Sequence, residues 1–294
     1  MVCNSMGAGL VVILEMLDIC SRMYQVLANS YKGIYPFKIG TTSFIYPDSY
    51  VSNVKMLAPC FDEIELLLLE SNQKDSLPSK HVIAELAALS NEFGVSYNIH
   101  LPTDISLCDQ DPSVRHKAVE TIRRIIDLTF PLSPSTNTLH LSYNEGSNQK
   151  ASVRKWQENV YKSIEQLLGA GIQGKILSIE NLVYPYEWVE DVIADFNLSV
   201  CIDIGHLIMQ GFDSKAFFSK YSQLTSIIHL HGVKDGKDHL SLDMLSGKET
   251  DNVVEILKGF TGVVSLEVFS FKALSASLKF LEQCWQSSAS LIPL

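Results

Sequence analysis

This 294-residue chain lacks paired cysteines, clustered arginines and apolar runs of membrane length. Each absence excludes something. The six cysteines (Cys3, Cys20, Cys60, Cys108, Cys201, Cys284) are scattered, with no CxxC pair, which points to a reducing cytoplasm. Only five arginines occur, and the formal net charge is −10. Tight binding to duplex nucleic acid leans on clusters of Lys and Arg against phosphate. None is present, so nucleic acid is disfavoured as a partner. The apolar run Leu10-Val11-Val12-Ile13-Leu14 is interrupted by Glu15 and Asp18, too soon to span a bilayer. No basic residue precedes it, which argues against a secretory signal. Low-complexity and linker-like stretches are also missing, so the expectation is a single domain. With 46% apolar and 19% charged residues, the chain can bury a substantial core.

What is present is alternation. Residues 1–36 read as an N-terminal extension, whose apolar stripe (Leu10, Ile13, Leu14, Leu17, Met23, Val26, Leu27) suggests a helix closing the bottom of the fold. From Phe37 to residue 294, short β-rich runs alternate with helical patterns. The runs are Lys38–Phe44, Glu63–Leu69, Ser96–Leu101, Asn137–Ser142, Lys175–Glu180, Leu198–Ile204, Ser226–Leu230 and Val263–Val268. Pro78 and Pro112 stand near helix starts and Gly94 follows a helix end, each where its backbone is tolerated. Eight strands alternating with eight helices predict one α/β domain, a parallel (β/α)8 TIM barrel.

Acidic and histidine side chains recur at the ends of the predicted strands. His100, His140, Glu180, Asp203, His229 and Glu267 lie 23 to 40 residues apart, about one strand-plus-helix unit each. His206 follows Asp203 by three residues, and His239 lies beyond His229. In a parallel barrel every strand delivers its C-terminal end to one face. A lone histidine at a strand end is ordinarily a rim residue. A carboxylate inside an apolar strand, such as Glu180 in Leu177-Ser178-Ile179-Glu180 or Glu267 in Ser265-Leu266-Glu267-Val268, needs a partner. Jointly, the side chains would be unfavourable without a cation among them. Nitrogen and oxygen donors without thiolate suit zinc, manganese or iron. His231 shares a strand face with His229; an acid, a phosphate contact or simple packing are open readings for it.

These residues resemble the xylose-isomerase-like barrel superfamily, most closely its AP endonuclease family 2 branch, over residues 37 to about 285. The resemblance implies two or three divalent ions, zinc or manganese foremost. By it, His100 and His140 would bind one ion and Glu180 would bridge. Glu267 or its neighbouring water would bridge as well, and Asp203 and His229 would complete the second ion. His206 and His239 would hold a third. The branch usually reads Asp-x-His at that last position, whereas Lys237 stands here two before His239. Either the adjacent Asp238 serves, or the third site is weakened or lost.

Within the branch, Gly40-Thr41-Thr42-Ser43-Phe44-Ile45-Tyr46-Pro47, Asp62 to Glu70 and His229 to Gly236 are similar to the cobamide-remodelling phosphodiesterases of bacteria. That similarity implies a metal-dependent hydrolase with a small-molecule phosphoester as partner. It would cleave the nucleotide loop of a cobamide to cobinamide phosphate and a ribazole-type nucleoside.

A metal-bound water can lose a proton near pH 7 rather than at about 15.7, and would then attack phosphorus. Glu180 and Glu267 would fix the inner ions, with His231 as acid and Lys234 on phosphate. The competing readings are a mononuclear sugar isomerase or epimerase, which needs only Glu180, Asp203, His229 and Glu267, an AP endonuclease of DNA repair, and a non-enzymatic metal-binding module. Weaker expectations are ligand stacking by Tyr184 and Tyr186, phosphate binding by Thr41, Thr42 and Ser43, an interior Cys201, and solvated His81 and His116.

Overall fold

The computed structural model describes residues 24–72, 76–144, 148–169 and 171–289. Its barrel strands are β1 (Lys38–Thr42), β2 (Glu63–Leu67), β3 (Ser96–His100), β4 (Asn137–Leu139), β5 (Leu177–Glu180), β6 (Ser199–Asp203), β7 (Thr225–Leu230) and β10 (Val263–Leu266). They form a closed parallel barrel in which β10 joins β1 to β7. The strands β8 (Gly232–Lys234) and β9 (Lys237–Leu240) pair antiparallel outside the barrel. The helices are α1 (Tyr50–Leu57), α2 (Lys80–Phe93), α3 (Pro112–Thr129), α4 (Lys150–Gly169), α5 (Glu190–Asp195), α6 (Ile204–Met209), α7 (Ser214–Tyr221), α8 (Gly247–Lys258) and α9 (Phe271–Ala289). The expected (β/α)8 barrel is the fold.

Local chemistry sets the boundaries. Ser49, Ser79, Asp111, Asp213 and Ser246 each cap a helix by accepting a backbone N–H, which satisfies donors the first turn leaves free. Gly94 ends α2 with φ +59, a left-handed conformation that glycine adopts without steric cost. Among the described residues no helix is long and apolar enough to cross a membrane.

Strand side chains alternate faces with period two, and the two faces differ in polarity. Ile64 and Leu66, Ile99 and Leu101, Val200 and Ile202, Ile228 and Leu230, and Val264 and Leu266 are buried in the main hydrophobic core with helix residues such as Trp156, Ile122 and Leu278. The alternate positions are largely polar. Thr136, Ser178, Ser199 and Ser226 share short hydroxyl contacts, and Glu63 accepts from Ser96, Asn98 and Ser135. Cys201, Ile227 and Val263 form a separate small apolar layer, so Cys201 is interior as expected. The strength of this fold lies between strands and helices, and the barrel axis is left for polar groups.

The extension departs from expectation where it is described. Residues 24–36 form no helix; they run along the barrel as irregular chain. Tyr24 donates to Asp48, Tyr31 stacks on Phe61, the Lys32 ammonium donates to the Phe93 carbonyl, and Tyr35 meets Phe37 and Trp285. Aromatic burial holds the segment without helical periodicity. The stripe from Leu10 to Met23 lies outside the described residues.

Candidate metal centre

The polar face of each strand carries its last side chain to the C-terminal end of the barrel. His100, Glu180 and Asp203 are the final residues of β3, β5 and β6, while His140 and Glu267 are the first after β4 and β10. His229 and His231 come from β7 and its exit. Asp203 also caps α6, accepting the His206 N–H at 2.8 Å. The strand end and helix start coincide there, so both side chains point to one place. The β8–β9 hairpin folds back to bring in His239, whose φ of 50 lies in the left-handed region that histidine visits more readily than most residues.

The carboxylates and imidazoles interlock. Glu180 Oε2 lies 2.9 Å from His140 Nε2, 3.4 Å from His100 Nε2 and 3.8 Å from His229 Nδ1. Glu180 Oε1 is 3.4 Å from His206 Nδ1. Glu267 Oε2 is 3.3 Å from His229 Nδ1 and 3.9 Å from His239 Nδ1. Donor atoms lie within 4.8 Å of one another in several triads: His100, His140 and Glu180; His100, His229 and Glu267; Glu180, Asp203 and His206; and His206, His231 and His239. Of the residues expected as ligands, the structure brings all but Asp238 into these triads. Asp238 is half-buried on β9 and Lys234 is exposed on β8.

The electrostatics describe a site strained by its own charge. Burial opposes charging of His100, yet Glu180, with Glu65 and Glu267 behind it, pushes the imidazole up to about 9. Burial likewise opposes charge on His229, and Cys201, Glu65 and Glu267 raise it well above its ordinary value. Glu180 and Glu267 are lifted by burial but drawn lower by facing histidines, chiefly His140 and His229 respectively. Asp203 is drawn down by His231. Protons on imidazole thus neutralise the carboxylates when no other cation does. Four buried atoms, His229 Nδ1 and Nε2, Glu65 Oε1 and Glu267 Oε2, have no aligned hydrogen-bond partner, a costly condition. The donors fit a divalent ion: neutral imidazole and carboxylate are its ligand forms, and binding it would release those protons.

Two participants are absent from the set expected on sequence. Glu65, fully buried on β2, faces His229 Nε2 at 3.1 Å and accepts from Ser265 Oγ at 2.5 Å. It lies in Glu63-Ile64-Glu65-Leu66, the same pattern of a carboxylate in an apolar strand that singles out Glu180. Asn181 follows Glu180 and clamps Asp203, accepting its N–H at 2.7 Å and donating to its carbonyl at 3.1 Å.

Other expectations turn out differently. Tyr184 and Tyr186 are buried: the first packs against Trp156 and Trp188, and the second donates to the Ile179 carbonyl. Neither is free to stack on a ligand. Thr41 and Thr42 donate to the Leu266 and Val268 carbonyls and so close the β1–β10 seam, whereas Ser43 Oγ accepts the Leu67 N–H and keeps its own hydrogen. His81 and His116 are exposed on helices, as anticipated.

Known proteins share this arrangement of fold. Over 226 residues the chain is 27% identical to a probable endonuclease 4 of Acholeplasma laidlawii (strain PG-8A), covering 68% of this chain and 72% of that protein. A D-tagatose 3-epimerase-like protein superposes with a TM-score of 0.71 at 22% identity, over 86% of this chain and 99% of the other. Endonuclease IV from Thermus thermophilus gives 0.63 at 14%, over 85% and 99%. These two likenesses establish the fold. With endonucleases among its relatives, the chain's acidity is no longer an argument against nucleic acid. The model of the xylose isomerase-like TIM barrel family, AP endonuclease 2, matches residues 60–284, and the chain belongs to that family.

Proposed function

We propose that the centre binds two or three divalent ions, zinc or manganese, and hydrolyses a small-molecule phosphodiester, the nucleotide loop of a cobamide. One observation carries the reading. Glu180 Oε2 is shared between His140 and His100 on one side and His229 on the other. A single ion is satisfied by Glu180, Asp203, His229 and Glu267, so His100 and His140 supply donors for a second one. Adjacent ions that share a carboxylate suit phosphoryl transfer, where charge builds on both the attacking and the leaving oxygen.

In this reading Glu180 and Glu267 hold the inner ions. His100 and His140 would complete one coordination sphere, Asp203 and His229 the other, and His206 and His239 would hold the outer ion. The ions supply an acidified water and neutralise phosphate charge. Such a water would supply the oxygen that joins phosphorus and, as the ester bond to the ribose breaks, the proton that the leaving oxygen takes up. Lys234, exposed on β8, is the cation available to phosphate.

The test joins elemental mass spectrometry of chelator-free protein to a cobamide cleavage assay. The expected result is two or three ions per chain and release of a ribazole-type nucleoside, with Glu267→Gln abolishing turnover by orders of magnitude in folded protein. A single ion without cleavage would favour a sugar epimerase, for which the complete one-ion set is the specific support. Cleavage of abasic DNA in place of cobamide would favour an endonuclease.

A further inference from the structure

His231 stands where the outer part of the centre departs from the Asp-x-His pattern. Lys237 holds the position two before His239, and the His231 ring lies 4.3 Å from the His239 ring and 5.8 Å from that of His206. By distance alone these would make a three-imidazole cation site. The hydrogen bonds decide otherwise.

A ligating nitrogen needs a free lone pair, and the partner of the other ring nitrogen determines which one has it. His100 Nδ1 lies 3.0 Å from the Leu101 carbonyl, His206 Nδ1 3.3 Å from that of Asn181, and His239 Nδ1 3.2 Å from that of Glu267. A carbonyl only accepts, so each Nδ1 carries a hydrogen and each Nε2 keeps its lone pair. His231 is the reverse. The His239 backbone N–H donates to its Nδ1 at 3.0 Å, so that atom is an acceptor and the proton sits on Nε2. There it faces Asp203 Oδ1 at 3.1 Å and Oδ2 at 3.2 Å. The Gly232 carbonyl is 3.3 Å from Nδ1. A second proton on that side would make the ring cationic and leave Nε2 protonated still. Neither form gives a cation a lone pair.

The surroundings are shaped for this role. The positive φ of His239 aims its N–H at the ring. A Cβ at Gly205 would lie 2.0 Å from His231 Cε1, so glycine at the start of α6 makes the room. His231 is fully buried, out of reach of a phosphate in solvent.

We propose that His231 is a positioning residue that donates Nε2–H to Asp203 and ligates no cation, leaving His206 and His239 as the imidazoles of the outer position. The proposal rests on the reading of the site as a divalent-cation centre. The test uses zinc-loaded full-length protein with 15N-labelled histidine. Long-range 1H–15N spectra should show His231, assigned by its loss in His231→Gln, as the Nε2–H tautomer with neither nitrogen at the shift of a zinc-bound imidazole nitrogen.

Gln keeps an N–H donor, so His231→Gln should retain the wild-type zinc content. His231→Ala should weaken zinc binding by about 10- to 100-fold, as losing an outer-shell partner does. A zinc-shifted His231, or loss of the same zinc equivalent in both variants, would overturn the proposal. So would wild-type affinity in the Ala variant. Should neither variant fold, the wild-type spectrum decides, since it must contain one buried histidine in the Nε2–H form with no zinc-bound nitrogen. Folded wild type that takes up no zinc would overturn the cation reading and this proposal with it.

Discussion

Replacing Glu65 by Gln tests whether the centre depends on a carboxylate beyond its direct donors. His229 offers Nδ1 to Glu267 at 3.3 Å and turns Nε2 to Glu65 Oε1 at 3.1 Å. To ligate through Nδ1 the ring must carry its hydrogen on Nε2, and the Glu65 carboxylate, close by but not aligned for a hydrogen bond, favours that tautomer through its charge. Ser265 Oγ holds the other oxygen at 2.5 Å. Gln keeps the shape, so its oxygen can stay beside His229 while its amide donates to Ser265 Oγ. Only the negative charge is lost, and with it part of the basicity of the imidazole. Loss of such a partner typically weakens metal affinity by about 10- to 100-fold, or roughly 1.4 to 2.7 kcal/mol. The assay is zinc competition against a chromophoric chelator, with circular dichroism as the control for folding. Ser265→Ala should weaken binding less, because Glu65 keeps its charge. Wild-type zinc affinity in Glu65→Gln would refute the reasoning.

Three further outcomes are expected. Trp156, 1% exposed, packs against Tyr143, Tyr184 and Trp188 and donates to the Ser142 carbonyl at 3.0 Å; Trp156→Ala should cost about 3–5 kcal/mol in urea unfolding. Ser246 and Glu249 form a reciprocal capping box at the start of α8, so Ser246→Ala should cost about 1 kcal/mol by the same measurement, without altering zinc content. Adding zinc to stripped protein at 100 times its dissociation constant should stabilise the fold by about 2.7 kcal/mol, seen as a raised melting temperature that a chelator reverses.

The strand ends are legible because period-two alternation in a barrel makes polarity visible residue by residue. Ile179-Glu180 and Leu266-Glu267 each place a carboxylate where an apolar neighbour shows which face is which. Glu65 obeys the same rule but lies mid-strand, one layer below the strand ends where donors are expected. Helix α6 begins at Ile204, which reads in sequence as the last residue of a strand leading into a turn. Ile204-Gly205-His206 has strand-like apolar content, and only the Asp203 carboxylate capping the His206 N–H turns it helical. The hairpin has a signal of its own. Asp235 and Gly236 both take positive φ, 51 and 72, and Asp-Gly is a strong two-residue turn sequence. The role of His231 stays open in sequence because a hydrogen bond from the backbone of His239, eight residues on, decides its tautomer. No local pattern encodes that contact.

The rim of the barrel bears on substrate size. Phe44, Val183 and Phe269, which follow β1, β5 and β10, are 55%, 87% and 43% exposed. Phe269 also lies 4.9 Å from the His239 ring, measured between centroids. Beside β1 and β2 a cavity of about 680 Å³ is lined by both apolar and hydroxyl side chains, among them Phe44, Leu69, Leu77, Ser43, Tyr50 and Ser76. A sugar presents hydroxyls on nearly every carbon, and a site for it needs hydrogen-bonding groups facing them. The hydroxyls of Thr41 and Thr42 at the end of β1 donate to backbone carbonyls, which leaves the Ser43 hydroxyl as the one of the three with its hydrogen free. Exposed apolar side chains around a polar centre instead suit a ligand with broad apolar faces and one charged linkage. The two halves of the site thus differ: charged and polar groups line the axis, and apolar side chains stand at the rim, an arrangement that would suit the phosphodiester proposed above.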